Sequence, residues 1–292
     1  MFSKINNIIY LKNEPLSKHC SFKIGGNAKH FVSVRDIDAL LDVLHICKQH
    51  SIKHKIIGGG SNILFDDLGY DGVIIKYYDS TINFKNGILQ ASSGCSLSQL
   101  IQYTQQFNLG GFEFAVGVPA QLGGAIVNNL CAYDQEVSTY IDRITILKNK
   151  QILYLTRNDC NFRYHSSNLQ KQNVVVLGAT FNLPRQDKVT TQQKASQHFS
   201  KRKNSQPLEY PNAGSIFKRT DNIIPARLID ELGLKGLQIG NAQISNKHAG
   251  FIINSGNAKC KEVLKLIEII RDKIYEKYKT VLELEVEYLP YK

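Results

Sequence analysis

The sequence of 292 residues has no tryptophan, one methionine and no two cysteines in a C-x-x-C pair. The six cysteines are Cys20, Cys47, Cys95, Cys131, Cys160 and Cys260. This spacing indicates neither a zinc site nor a disulfide framework, and it fits a reducing cytoplasm. No apolar run approaches the roughly 18 residues of a membrane helix, and the N-terminus lacks a signal-peptide cleavage site. We therefore expect a cytoplasmic protein without a metal centre or a membrane partner.

Acidic residues are also scarce: the chain has 25 Asp and Glu but 36 Lys and Arg, which gives a formal net charge of +11. The basic residues are scattered, and the densest cluster, Lys201-Arg202-Lys203, is short and has no aromatic motif beside it. This pattern argues against a nucleic-acid partner, whereas a positive cleft would attract a small anion such as a nucleotide. With 42% hydrophobic residues the chain is typical of a globular protein, and its length allows two or three domains.

Local patterns predict alternating helices and strands in the first two thirds of the chain. Apolar spacing predicts a helix over 36–48 with Asp36 as N-cap, and Ser96 is a candidate cap for a second helix. Asn86-Gly87 predicts a hairpin with a type I′ turn. Further strands are expected at 53–57, 73–77, within a hairpin over 143–156, and at 174–183.

The composition changes at Pro184, where we expect a domain boundary followed by a solvated helix over about 189–203. A short helix over 225–232, strands at 237–244 and 249–254, and an amphipathic helix over 258–278 follow. The end of the chain alternates apolar and acidic residues, so we expect a strand there with three glutamates on one face: Glu283, Glu285 and Glu287.

Two glycine-rich loops point to a ligand that touches both. The first, Gly58-Gly59-Gly60-Ser61-Asn62, follows the apolar Ile56-Ile57, and the second spans residues 117–125. Glycine allows the backbone N–H groups to approach a diphosphate closely. Neither loop is a P-loop or a Rossmann fingerprint, and an ordinary turn is the alternative for the first loop taken alone.

A third polar segment, residues 206–218, places Ser215 after Gly214 on a tightly bent backbone. The alternative is a structural turn that contains a serine, since serine is common in turns. Asn212, Lys218 and Arg219 nearby favour an anion site. For the glutamates at the end of the chain, a merely solvated strand face is the strong alternative.

Together these motifs resemble the UDP-N-acetylenolpyruvoylglucosamine reductase family, whose members are also called UDP-N-acetylmuramate dehydrogenases. The matching segments run collinearly from about residue 20 to 286. They are Ser21-Phe-Lys-Ile-Gly-Gly26, residues 57–64, Phe112-Glu-Phe114, Gly117-Val-Pro119, Gly123-Gly-Ala125, residues 206–218, Gly233-Leu-Lys-Gly236, Lys247-His-Ala249, Phe251-Ile-Ile-Asn254 and Leu282-Glu-Leu-Glu-Val286. The chain is most similar to the shorter subclass of the family.

The resemblance implies an α+β protein with a vanillyl-alcohol-oxidase-type, two-part FAD-binding fold and a C-terminal α/β substrate domain. We place the first FAD-binding subdomain at 1–78, joined by a C-terminal strand at 280–292. The second subdomain is placed at 79–186 and the substrate domain at 187–279.

The resemblance further implies NADPH-dependent, FAD-mediated reduction of UDP-N-acetylglucosamine enolpyruvate to UDP-N-acetylmuramate, a cytoplasmic step of peptidoglycan precursor synthesis, by a monomer. Ser215 matches the family's proton donor and Glu285 its catalytic glutamate, while Asn212, Lys218 and Arg219 fall where the UDP-sugar binds. The expected FAD-binding residues are Ile57, Gly58, Gly59, Gly60, Ser61, Asn62, Ile63, Leu64, Gly117, Val118, Pro119, Gly123, Gly124 and Ala125.

The chain departs from the family pattern near this expected site. His165 occupies the slot of an arginine that assists the substrate carboxylate, and Arg163, on the same side of an extended segment, is the alternative. Ala120-Gln121 replace Gly-Ser, and Leu130, Cys131 and Asp134 replace small residues. These changes leave two rival hypotheses: a weakened or binding-only relative, and a related FAD oxidase with another substrate.

Overall fold

The computed structural model describes residues 2–220 and 222–292, which contain six α-helices and seventeen strands. The helices are α1 (Ile37–Gln49), α2 (Leu97–Gln106), α3 (Leu122–Val127), α4 (Lys188–Ser205), α5 (Pro225–Glu231) and α6 (Cys260–Tyr278). Short 3-10 helices lie at Phe2–Lys4, Leu16–His19, Glu113–Ala115, Val137–Tyr140, Asn158–Cys160 and Asn168–Lys171. None of the helices in the described residues is both long and apolar enough to span a membrane.

The strands are β1 (Ile8–Pro15), β2 (Asn27–Val34), β3 (His54–Ile57), β4 (Ile63–Phe65), β5 (Tyr70–Tyr77), β6 (Ile82–Lys85), β7 (Ile88–Ser92), β8 (Cys131–Ala132), β9 (Gln135–Glu136), β10 (Ile141–Lys148), β11 (Gln151–Thr156), β12 (Val175–Phe181), β13 (Asn212–Ser215), β14 (Gln238–Ile239), β15 (Ala242–Ile244), β16 (Phe251–Asn254) and β17 (Glu287–Leu289). One four-stranded sheet has the order β1-β2-β5-β3, a five-stranded sheet β11-β10-β12-β7-β6, and a second four-stranded sheet β13-β16-β15-β14. This mixture of helices and largely antiparallel sheets confirms the α+β class.

The chain forms two compact units, which are described separately. Unit 1 comprises Met1–Tyr10, Val32–Gly59 and Ile75–Arg202, and unit 2 comprises Leu11–Phe31, Gly60–Ile74 and Lys203–Lys292. The predicted division into three domains is a different partition and stays a prediction.

Local capping and turn chemistry fix the elements of unit 1. The Asp36 side chain accepts the Ala39 N–H at 2.7 Å, and Ser96 forms a capping box with Gln99 at the start of α2, so both predicted helix starts are confirmed. Asn86 and Gly87 have φ values of 54° and 81°, the positive values of the predicted type I′ turn between β6 and β7. The core of this unit packs α2 and α3 against the five-stranded sheet.

In unit 2 the long helix α6 buries one apolar stripe, which confirms the predicted amphipathic helix. The stripe consists of Val263, Leu266, Ile267, Ile270 and Ile274. Asp67 accepts the N–H groups of Cys260 and Lys261 at 2.8 and 3.1 Å, so a carboxylate satisfies two free donors at the N-terminus of α6. Strand β17 pairs in parallel with β4.

The predicted terminal strand over 282–287 is wrong. Leu284 makes only an isolated bridge to Phe217, residues 285 and 286 form a bend, and regular pairing begins at Glu287. The backbone of Glu285 is instead bound by other segments, because its N–H donates to Ile216 O at 2.8 Å and its C=O accepts from the Asn62 side chain at 2.9 Å. The bend therefore interrupts the acidic strand face that the alternating pattern predicted.

Candidate active site

The two glycine-rich loops meet within unit 1. A Cβ atom on Gly59 would lie 3.1 Å from Pro119 O, and a Cβ on Gly58 would lie 3.3 Å from the Gln121 side-chain oxygen. Both distances are tighter than an ordinary contact, so glycine is what allows the two backbones to approach this closely. The sequence-based prediction that both loops serve one ligand is consistent with this contact.

The second loop continues into α3, where glycine has two separate roles. A Cβ on Gly123 would lie 2.8 Å from Ser93 Cβ, and the Gly123 N–H donates to Ser93 O at 2.8 Å, so this glycine serves close packing. Apart from its chain neighbours and the backbone of α3, no atom of the described residues lies within 4 Å of the position where a Gly124 Cβ would be. We call the group Gly58, Gly59, Pro119 and Gly124 the glycine cradle, because it presents backbone beside open space.

The flanking apolar residues of the predicted cofactor set lie in the interior. Ile57, Ile63, Leu64 and Ala125 are all buried. The backbones of Ile63 and Leu64 pair with β17. Their side chains therefore pack in the interior, where they do not present a surface to a ligand.

The remainder of the first loop, Gly60 to Asn62, belongs to unit 2. Gly60 has a φ of 66° and accepts the Ser21 N–H at 3.2 Å, and a Cβ there would collide with the backbone oxygen of His19. Asn62 donates its side-chain amide to Glu285 O at 2.9 Å and accepts the Glu287 N–H at 2.9 Å. Its side chain thus binds the protein's own backbone.

Ser215 and Glu285 are brought together in unit 2. Ser215 ends β13, is exposed, and follows Gly214, whose φ is 76°. Its neighbour Ile216 accepts the Glu285 N–H at 2.8 Å, so the serine and the glutamate lie next to each other across one backbone hydrogen bond. Burial raises the pKa of Glu285 to about 7, and the nearby charge of Lys218 opposes that rise.

The other two glutamates of the terminal segment are exposed. Glu283 keeps 76% of its side chain accessible and pairs with Lys218 at 3.3 Å, and Glu287 is also exposed. Glu285, whose pKa is about 7, can by contrast be protonated at neutral pH, as a general acid or a hydrogen-bond donor must be.

The three predicted substrate-binding residues differ in how free their side chains are. Asn212 accepts the Gly214 N–H at 2.9 Å and donates to Tyr210 O at 2.8 Å, so its amide shapes the turn before Ser215. Lys218 is engaged with Glu283, whereas Arg219 is exposed. A role in substrate binding stays a prediction for all three.

His165 lies in a tight turn of unit 1, which corrects the expected extended segment. The N–H groups of Arg163 and Ser166 each donate to the other residue's oxygen, at 2.9 and 3.0 Å, and His165 has a φ of 47°. Arg163 is exposed, and the turn removes the reason for placing it on the same side as His165. Burial lowers the pKa of His165 below its ordinary value, so its imidazole is neutral at pH 7.

Two residues near the cradle were missed from the sequence. Arg202, assigned to a basic cluster, is only 6% exposed and donates to Val116 O at 3.0 Å and Phe114 O at 3.2 Å. It follows the buried Thr191 and Ala195 on the same stripe of α4, and that spacing was the available signal. Gln121 donates to Gly94 O at 3.0 Å, and its oxygen is buried without a hydrogen-bond partner in the described residues.

Comparisons with known proteins identify the family of the chain. Residues 206–289 match the family described as "UDP-N-acetylenolpyruvoylglucosamine reductase, C-terminal domain", and residues 28–150 match the family described as "FAD binding domain". A UDP-N-acetylenolpyruvoylglucosamine reductase of Caldicellulosiruptor saccharolyticus is 39% identical over 97% of this chain and 93% of its own length. One from Lachnoclostridium phytofermentans is 41% identical over 94% and 91%, respectively. The crystal structure of UDP-N-acetylenolpyruvylglucosamine reductase from Thermus caldophilus aligns with a TM-score of 0.83 at 27% identity, covering 97% of this chain and 99% of that one.

Proposed function

Because the chain belongs to the UDP-N-acetylenolpyruvoylglucosamine reductase family, we propose that it reduces UDP-N-acetylglucosamine enolpyruvate to UDP-N-acetylmuramate with FAD, using NADPH as the hydride donor. The observation that carries the proposal is the placement of Ser215 beside Glu285, a carboxyl group with a pKa of about 7. A non-catalytic relative has no need of a partly buried carboxyl with a raised pKa in this position, since such a group costs folding stability.

The glycine cradle fits the diphosphate of FAD. Gly59 brings its backbone close to Pro119, and Gly124, in the first turn of α3, has open space where a side chain would be. A diphosphate can therefore approach the main chain here without meeting a side chain of Gly124. Bound FAD supplies the redox chemistry, namely hydride uptake from NADPH and hydride delivery to the enolpyruvyl double bond. The buried Arg202 donates to the carbonyls of residues 114 and 116, which directly precede the second glycine-rich loop. We propose that these bonds hold that loop in place.

Ser215 is proposed to donate the proton that completes the reduction. Hydride addition to the methylene carbon leaves negative charge on the adjacent carbon and its carboxylate. A hydroxyl is a weak acid, but the enolate is a strong base, so proton transfer from Ser215 Oγ to that carbon is favourable. The exposed hydroxyl at the end of β13 is accessible to a substrate.

Glu285 in its protonated form would donate a hydrogen bond to the substrate carboxylate. A pKa of about 7 keeps a substantial neutral fraction at physiological pH. Donors placed in advance where charge develops are the main source of stabilisation in such reactions. His165, being neutral, would add one N–H donor where the family uses a charged arginine.

Lys218 and Arg219 are proposed to attract the negatively charged UDP-sugar, and Asn212 to fix the turn beside it. None of the six cysteines is in a disulfide. We place the reaction and its NADPH supply in the reducing cytoplasm. We propose that the enzyme acts as a monomer.

An anaerobic titration tests the proposed function. The purified protein should be yellow, NADPH should bleach the flavin, and the enolpyruvyl UDP-sugar should restore the colour with formation of one product molecule per flavin. A colourless protein that gains no flavin from added FAD would contradict the proposal and favour a binding-only relative. Bleaching without recovery would instead favour a flavoprotein with another substrate.

A further inference from the structure

Asn62 is tied to the segment that carries Glu285 at two points within unit 2. Its side-chain amide donates to Glu285 O at 2.9 Å, and its own carbonyl accepts the Glu287 N–H at 2.9 Å. The second bond begins the parallel pairing of β17 with β4. The first bond is to Glu285, in the bend at residues 285 and 286 that precedes β17.

These contacts fix both peptide groups of Glu285. Its N–H donates to Ile216 O at 2.8 Å, on one side of the residue, and its C=O is held by Asn62 on the other. The following residue, Val286, is only 2% exposed and anchors the bend in the interior. With both flanking peptides fixed, the position of the Glu285 backbone and the direction of its Cα–Cβ bond are set.

We infer that Asn62 is a positioning residue for Glu285, and that its side chain holds the glutamate's carbonyl rather than the cofactor. The inference rests on the proposed function of Glu285. It revises the sequence-based assignment of Asn62, because the side-chain amide is used within the protein.

A double-mutant cycle of Asn62→Ala and Glu285→Gln separates the two roles. Asn62→Ala should slow substrate-driven flavin reoxidation by about tenfold or more, since small misplacements of a reacting group have effects of this order. Flavin reduction by NADPH and the FAD dissociation constant should change by less than about threefold. In the Glu285→Gln background, Asn62→Ala should add less than about twofold, because residues that act through one another are not additive.

Tyr288→Phe is the matched control. It removes one side-chain hydrogen bond that ties the same strand, from the Tyr288 hydroxyl to Asp66 at 2.5 Å, without touching Glu285. Its reoxidation rate should match that of the unmodified protein within about twofold. An equal slowing in both single variants would show that any loosening of β17 suffices, and it would overturn the inference.

Two further outcomes would also overturn it. The first is a tenfold rise in the FAD dissociation constant with normal reoxidation, which would assign the side chain to the cofactor. The second is a double variant whose slowing of reoxidation equals the product of the slowing in the two single variants, because that would mean the two residues act independently. Amide hydrogen exchange of the holoenzyme gives a readout that is independent of turnover: Asn62→Ala should increase exchange at the Glu285 and Val286 amides, and Tyr288→Phe should not. If the unmodified enzyme fails to turn over, the proposed function fails, while unchanged exchange in Asn62→Ala would still refute the positioning role.

Discussion

Glu285→Gln should stabilise the folded protein increasingly as the pH rises above 4.5, with the full effect at neutral and alkaline pH. Burial raises the pKa of Glu285 from 4.5 to about 7, so the folded state holds this proton more tightly than the unfolded state does. The stabilising effect of the proton is fully present below pH 4.5 and is lost as the pH rises through the folded pKa. Glutamine keeps the shape and hydrogen-bonding capacity without the ionisation.

The magnitude follows from the two pKa values. A carboxyl whose pKa moves from 4.5 to about 7 loses up to about 3 kcal/mol of folding stability on ionising, at about 1.4 kcal/mol for each pH unit. The difference in unfolding free energy between variant and unmodified protein should therefore grow between pH 5 and pH 7 and be constant above about pH 8. Lys218 already offsets part of the cost, since its charge lowers the Glu285 pKa.

Urea unfolding of the FAD-saturated proteins across this pH range measures the effect. Glu283→Gln is the matched control, because Glu283 is 76% exposed and pairs only at the surface with Lys218. Its effect should stay below about 1 kcal/mol. A Glu285→Gln difference that does not change with pH would refute the reasoning, since it would mean that the carboxyl titrates as an ordinary one. We also expect substrate-driven reoxidation by the unmodified enzyme to fall above pH 7, as Glu285 ionises, and this fall should be absent in Glu285→Gln.

Three other predictions concern separate parts of the site. Ser215→Ala should leave flavin reduction by NADPH near normal and slow reoxidation by about a hundredfold or more in stopped-flow measurements, whereas equal loss of both half-reactions would indicate damaged folding or flavin binding. His165→Arg should speed reoxidation, and Arg163→Ala should not change it. A His165→Ala variant with the reoxidation rate of the unmodified enzyme would show that His165 does not take the place of the family's arginine. Arg202→Met leaves two buried carbonyls unpaired and should cost about 3 kcal/mol of unfolding free energy and weaken FAD binding, and unchanged values of both would show that α4 does not support the cradle.

Features set by neighbouring residues were predictable from the sequence. The caps at Asp36 and Ser96 and the turn at Asn86-Gly87 depend on contacts within three residues, and all are confirmed. The helix predicted after Pro184 is confirmed as α4, and the family resemblance is confirmed by the relatives that span nearly the whole chain. The motifs that supported the resemblance are short contiguous segments, so they can be read directly from the sequence.

Features set by distant contacts were not predictable. The terminal segment alternates apolar and acidic residues as a strand does, but its hydrogen bonds go to Ile216 and Asn62, which the sequence pattern does not reveal. Arg202 was assigned to a solvated cluster because its neighbours are basic, although helical spacing places it on the buried side of α4. In both cases the partner lies far away in the sequence.

Apart from Ala120-Gln121, the departures from the family pattern belong to one structural module of unit 1. Tyr133 and Asp134 form the two-residue turn of the β8–β9 hairpin with φ values of 52° and 59°, and aspartate tolerates this conformation better than most residues.

The buried Asn129 joins that hairpin to the turn that carries His165, because its amide donates to Glu136 at 3.0 Å and to Arg163 O at 2.9 Å. Cys131 is accommodated in the same place, with its thiol donating to Asn129 O at 2.8 Å. Cys131, Asp134 and His165 therefore share one support, so we expect these departures to act together on the proposed contact with the substrate carboxylate. The replacement at Gln121 lies outside this module, beside Gly58, and the backbone hydrogen bond from Glu285 to Ile216, next to Ser215, involves none of the replaced positions.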